Sequence, residues 1–156
     1  MASHVYHEIF PHFNWHTKSN AALLRGRVEE ETHRQVLDKG CRIKGVSLIE
    51  LGGTDDHVHL AIRIAPFVTV SDLVQELKGA SSHEVNKVLG TRTLEWQRGY
   101  GVVSFGRRHL EWVRDYIRRQ REHHAKGSAI ARLELCEEAD GDWRGGAEAE
   151  AEEKSG

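Results

Sequence analysis

An α+β sandwich, with element order β-α-β-β-α-β around a four-stranded antiparallel sheet, is the fold class this chain predicts. Three observations lead there. Apolar residues interleave with polar ones over 5–16, 41–51 and 57–65, the two-residue period of a half-buried strand, and 99–105 is a short run rich in Val and aromatics. Helical spacing replaces that alternation after the first and third of these runs. Between the second and third stands only Gly52-Gly53-Thr54-Asp55-Asp56, turn chemistry that suits a hairpin. Split βαβ repeats of this order form the ferredoxin-like sandwich, with helices packed on one face. A further helix follows the last strand.

Val5, Tyr6, Ile9, Phe10, Phe13 and Trp15 mark the first strand, and Pro11 inside it predicts an edge position or a bulge. Thr17 to Gly26 is a loop. Arg27 to Lys39 is polar and helical, with Val28, Thr32, Val36 and Leu37 as a narrow apolar stripe and Gly40 as terminator. The strand from Cys41 to Leu51 and the strand from His57 to Ala65 flank the hairpin turn, and Pro66 closes the second of them. Thr69-Val70-Ser71-Asp72 has capping form ahead of Leu73, Val74 and Leu77. That helix is expected to break at Gly79 and resume from Ser81 to Leu89. Gly99 to Phe105 is the fourth strand. One long helix is expected from Arg107 to Lys126, burying Leu110, Val113 and Ile117.

The chain has 156 residues, enough for one compact domain, with 38% hydrophobic and 29% charged residues. No apolar run approaches the roughly 18 residues of a membrane span. The N-terminus lacks a basic start followed by an apolar stretch, so a cytoplasmic location is expected. Cys41 and Cys136 show no Cys-x-x-Cys spacing, which argues against a zinc ribbon or a disulfide scaffold. The net charge of −2 is unevenly spread. Residues 134–156 hold nine acidic and two basic residues, leaving 20 Lys+Arg against 15 Asp+Glu in residues 1–133. The expected organisation is therefore a basic domain over 1–133 and an acidic, disordered tail over 134–156. A basic body suits a polyanion, although a solvated surface explains the charge as well.

The chemistry concentrates in two places. In Asp55-Asp56-His57-Val58-His59-Leu60, strand alternation turns both imidazoles to one side. In Tyr116-Ile117-Arg118-Arg119-Gln120, helical spacing turns the phenol and the amide to one side. Two imidazoles, an amide oxygen and a phenol are the parts of a metal-assisted tyrosine nucleophile acting on a phosphodiester. Each has an ordinary alternative. A His-x-His pair among 11 histidines is as readily a surface pair, Tyr116 a packing residue, and Gln120, His123 and His124 exposed helix residues. Asp55 and Asp56 are either turn residues or orienting acceptors for an imidazole. A competing signal is Arg98-Gly99-Tyr100-Gly101-Val102-Val103-Ser104-Phe105, which fits the RNA-recognition-motif pattern at every defined position but the fifth. It falls on the fourth strand, whereas that motif belongs on the third.

Together these segments resemble the single-tyrosine HUH transposases, the insertion-sequence-200-like family with its REP-associated branch. The likeness covers about residues 5–125. It rests on Trp15-His16-Thr17-Lys18, Asp56-His57-Val58-His59-Leu60, Lys78-Gly79-Ala80-Ser81-Ser82 with Asn86, Trp96-Gln97-Arg98-Gly99-Tyr100-Gly101, and Tyr116 to Gln120 followed by Glu122-His123-His124. The resemblance implies a ferredoxin-like fold with a C-terminal catalytic helix. It further implies a divalent metal, magnesium or manganese, held by His57, His59 and Gln120, and Tyr116 as nucleophile. The implied reaction is cleavage and transfer of single-stranded DNA beside a hairpin, through a 5′-phosphotyrosine. Lys18, Lys78, Ser81, Ser82, Asn86 and Arg98 become candidate DNA contacts. A homodimer is implied, with a monomer as the alternative. Two competing readings are a non-catalytic RNA- or DNA-binding ferredoxin-like domain and a water-using metal phosphodiesterase in which Tyr116 is structural.

Overall fold

The computed structural model describes residues 4–90 and 92–136. Four strands, β1 (Phe10–His16), β2 (Val46–Gly53), β3 (His57–Ile64) and β4 (Gly101–Phe105), form one antiparallel sheet in the order β2-β3-β1-β4. The helices are α1 (Gly26–Gly40), α2 (Val70–Leu89), α3 (Leu110–Arg118), α4 (Gln120–Lys126) and α5 (Ala131–Glu134). This is the predicted βαββαβ order. No helix among the described residues is long and apolar enough to cross a membrane.

The central strands β1 and β3 are buried on both faces, and their two-residue period divides the molecule into layers. Phe13, Trp15, Val58, Leu60, Ile62 and Ile64 point to one side, where Leu24 and Val36 and the Leu73, Val74, Leu77 and Val85 stripe of α2 complete the main core. Ala61 points to the other side, with Val113 and Ile117 of α3 packed on it beside Ile49 and Phe105. Helices therefore cover both faces rather than one: α1 and α2 on the large core, α3 on the small one. Once both central strands carry apolar residues on opposite faces, a single helical layer leaves one face wet.

Three local expectations are corrected. Pro11 lies in a central strand, not at an edge. The β1–β3 pairing interrupts there, between the Ile9–Ile64 bridge and His12–Ala61, so the missing N–H falls in a gap of the ladder. The helix expected to break at Gly79 runs unbroken to Leu89 and ends on Gly90 at φ 64°. Glycine in a helix costs only about 1 kcal/mol, and burial of Leu77, Ser81 and Val85 around it prevails. The single helix expected over 107–126 is instead a 3-10 turn at Arg107–His109 followed by α3 and α4, which meet at Arg119 (φ −104°, ψ 27°). The RNA-motif-like segment ends in β4, an edge strand.

The segment between α2 and β4 is fastened to α2 by polar side chains. The Lys78 ammonium donates to the carbonyls of Gln97, Arg98 and Gly99. Asn86 bonds the backbone of Leu94 in both directions at 2.9 Å, and the Trp96 indole donates to the Ser81 hydroxyl at 3.0 Å.

Two outcomes follow from this packing. Gly52 on β2 sits under α3: a Cβ there would stand 2.3 Å from the Ile117 carbonyl oxygen. Gly52→Ala is expected to lower stability by about 1–3 kcal/mol through overpacking, read as a fall in the urea midpoint. Lys78→Met removes a donor to three carbonyls and is expected to cost about 1–2 kcal/mol in the same titration, with no nucleic acid present. An unchanged midpoint would show that Lys78 does not hold this segment.

Candidate active site

The site is built on the small-core face of the sheet. Register places His16 beside His57, Asn14 beside His59 and His12 beside Ala61, so all of these side chains share that face. His57 and His59 are 2% and 0% exposed. Each ring is held through Nδ1. The Nδ1 of His57 lies 2.7 Å from Asp56 Oδ1 and 2.8 Å from Thr54 Oγ1; that of His59 lies 2.8 Å from His12 Nε2. Asp56 is thus the acceptor foreseen for an imidazole as well as a turn residue. His16 stacks on His57 at 4.6 Å between ring centres.

With both Nδ1 atoms occupied, both Nε2 atoms point into one space. They lie 3.2 Å (His57) and 3.0 Å (His59) from a single oxygen, Glu134 Oε2, and His124 Nε2 lies 3.4 Å from the same atom. The His57 Nε2 is buried and lacks a hydrogen bond of proper geometry. Orphaned imidazole nitrogen aimed at a shared point fits a divalent ion, and His57, His59, His124 and Glu134 form a group that could hold one. The electrostatics are strongly polarised. Burial opposes charge on Glu134, but the close approach of the His57 and His59 imidazoles and the Tyr116 hydroxyl holds its carboxyl well below the usual range. Burial works against charge on His57 too, yet the Glu134 and Asp56 carboxylates outweigh it and raise its pKa. Burial dominates at His59 and lowers its pKa; at His12 burial, helped by His59, brings it down to about 3.

Tyr116 enters the same constellation from α3. Its side chain is 1% exposed, its hydroxyl donates to Glu134 Oε1 at 2.6 Å, and it accepts the Ile130 N–H at 2.9 Å. Burial, then Glu134, push the phenol pKa up to about 12. The ring stacks between His123 and Trp112, at 4.8 and 5.4 Å. Gln120 is fully buried on the same side as Tyr116; its amide donates to the Tyr116 carbonyl, and its Oε1 lies 3.2 Å from His124 Nε2. The turn at Arg119 does not separate the two. His57, His59, Tyr116 and Gln120 are therefore brought together, linked by Glu134 and His124.

The expected DNA contacts divide. Lys78, Ser81 and Asn86 have their polar atoms engaged inside the fold, as described above. Lys18 is exposed and pairs with Glu95 at 3.1 Å. Ser82 and Arg98, together with Lys78 and Asn86, line an open cleft of about 1080 Å³ between α2 and the 92–100 segment, where Trp96 and Tyr100 also lie.

Two contributors were not foreseen from sequence: His12, 47 residues from His59, and Glu134, 75 residues from it. The tail boundary expected after 133 cuts through α5. Leu133 is buried, and the carbonyls of Leu133 and Leu135 are gripped by Asn14 Nδ2 at 3.0 and 2.9 Å. The remaining tail, 137–156, lies outside the described residues.

Comparison with known proteins agrees with this architecture. The family model described as Transposase IS200 like matches residues 5–120. Transposases for insertion sequence element IS200 from Salmonella typhimurium and Salmonella typhi are each 30% identical over 102 residues. The match covers 62% of this chain and 66% of each relative, just under two thirds of their length. Among solved structures, a Deinococcus radiodurans protein described as a transposase superposes with a TM-score of 0.61 at 19% identity, covering 84% of this chain and 98% of that one. A REP-associated tyrosine transposase bound to a REP hairpin superposes with a TM-score of 0.57 at 12% identity, covering 83% and 76%. At those identities the structures speak for the fold, and the family match over most of the chain speaks for descent: this protein belongs to the IS200-like transposase family.

Proposed function

We propose that this chain cleaves and transfers single-stranded DNA beside a hairpin, with Tyr116 as nucleophile and a divalent metal, manganese or magnesium, held at His57, His59 and Gln120. The observation that carries the reading is convergence. The Tyr116 hydroxyl and the His57 and His59 Nε2 atoms all lie within 3.2 Å of one carboxylate, Glu134, although they come from a helix and a strand. Membership of the transposase family supports a DNA-cleaving activity. One fold neighbour is bound to a REP hairpin, which supports the choice of substrate.

In the proposed reaction the Tyr116 oxygen attacks phosphorus. A Tyr–O–P bond forms, the P–O3′ bond breaks, and the products are a 5′-phosphotyrosine and a free 3′-hydroxyl. The covalent link conserves the phosphodiester energy, so rejoining needs no nucleotide. The metal, when bound, supplies Lewis-acid polarisation of a non-bridging phosphate oxygen. The protein's own residues do the rest. Asp56 and His12 orient the two imidazoles through Nδ1. Glu134 Oε1 receives the Tyr116 O–H in the resting state, and stacking on His123 and Trp112 fixes the ring. With its pKa pushed up to about 12, the phenol is protonated at neutral pH, so its proton passes to water as the O–P bond forms and the departing 3′-oxygen takes one up from water. Arg98, Ser82 and Lys18 are proposed to contact the DNA backbone, with Trp96 and Tyr100 of the cleft available to stack bases.

Two measurements test the reading. Tyr116→Phe is expected to abolish the SDS-resistant protein–DNA adduct formed on a labelled hairpin oligonucleotide with manganese, while hairpin binding persists. An adduct formed by the Phe variant would remove Tyr116 from the role. His57→Ala and His59→Ala are each expected to weaken manganese binding by at least tenfold in calorimetric titration, and Gln120→Ala by less, an amide oxygen being the poorer ligand. Wild-type affinity in both histidine variants would dismiss the centre.

A further inference from the structure

We propose that Glu134 is a ligand of the metal centre in the DNA-free protein, with His124 as the third imidazole. The centre is then closed by a segment beyond the family-matched residues 5–120. The inference rests on the metal-centre reading above and adds to its ligand set.

The spacing comes first. Imidazole nitrogen and carboxylate oxygen bind such ions at roughly 2.0–2.2 Å, which sets neighbouring ligand atoms of a tetrahedral or octahedral shell about 3.0–3.4 Å apart. Glu134 Oε2 stands 3.2, 3.0 and 3.4 Å from the Nε2 atoms of His57, His59 and His124. All four ligand atoms lie within 4.8 Å of one another. Gln120 Oε1 lies 3.2 Å from His124 Nε2, within hydrogen-bond distance of that imidazole.

Second, the position of Glu134 is imposed by its backbone. Asn14 grips the carbonyls on either side of it, and Asn14 is itself a buried neighbour of His59 in the sheet. The Leu135 carbonyl approaches Gly101 so closely that a Cβ there would stand 1.9 Å away. Leu133 is buried beside it. A glutamate on a loosely tethered tail has none of these restraints.

Third, the second carboxylate oxygen is already taken by a hydrogen-bond donor. Oε1 accepts the Tyr116 hydroxyl at 2.6 Å, which fixes the carboxylate plane and leaves Oε2 to the centre. One carboxylate thus joins the metal position to the nucleophile.

Manganese titration of the full-length, DNA-free chain tests this, using wild type, Glu134→Ala, Glu134→Gln, His124→Ala and Tyr116→Phe, with Glu111→Ala as an exposed-carboxylate control. Glu134→Ala and His124→Ala are expected to weaken affinity at least tenfold, Glu134→Gln somewhat less, and Tyr116→Phe a few-fold through the lost orienting bond. Glu111→Ala should match wild type. The Gln variant keeps the side-chain shape, so a weakened affinity with an unchanged metal-free melting temperature excludes misfolding as the cause. If wild type binds manganese and both Glu134 variants bind within twofold of it, Glu134 is no ligand and this inference falls while the metal-centre reading stands. If wild type binds no divalent metal, both fall.

Discussion

Everything in this molecule depends on the two-residue period of β1 and β3. Both strands are central, and both are buried on both faces. One face is apolar and holds the fold: burial of each side chain such as Phe13, Leu60 or Ile62 contributes about 1.5–3 kcal/mol. The other face carries His12, Asn14, His57 and His59. A slip of one residue between the strands would send imidazoles into the large core and valine and leucine into the site. The apolar face therefore fixes the register in which the polar face works.

Four buried polar side chains on a sheet face are costly unless partnered. The partners here are unequal. His57 leans on the Asp56 carboxylate, whereas His59 leans on His12, an imidazole that burial keeps neutral. Charge on the first ring is favoured and charge on the second is not, although the rings stand only 5.1 Å apart. Glu134 sits between them and faces both Nε2 atoms. The result is a compact set of imidazole nitrogens around one carboxylate oxygen, with the His57 and His59 rings each held by a neighbour at Nδ1.

Much of this was legible because it is local. His57 and His59 are two apart on a strand, and Tyr116 and Gln120 four apart on a helix, so spacing alone gave their shared faces. The βαββαβ order followed from alternation and turn chemistry. What spacing could not show was the partner arriving from far away. Glu134 lies in a run whose acidic composition reads as solvated tail, and only the Asn14 clamp and the Gly101 gap bring it inward. His12 reads as an ordinary polar residue of an alternating strand until the sheet order places it beside His59. Lys78, Ser81 and Asn86 are candidate nucleic-acid contacts in sequence; that their polar atoms also hold the chain leading into β4 is visible only in the fold. Gly79 misled in the opposite direction, since propensity is weaker than a buried helical stripe.

The unequal layers have a dynamic consequence. The helix bearing Tyr116 is attached through Ala61, Val113 and Ile117 with two half-buried neighbours, while the opposite face is cemented by a cluster of thirteen buried side chains. Local opening free energies scale with such burial. By apolar burial alone, helices α3 and α4 therefore form the less costly cooperative unit to detach. Their amide protons should exchange with solvent through partial openings that leave the sheet and its first two helices folded. The residues that would perform the chemistry are divided between a heavily packed layer and a lightly packed one.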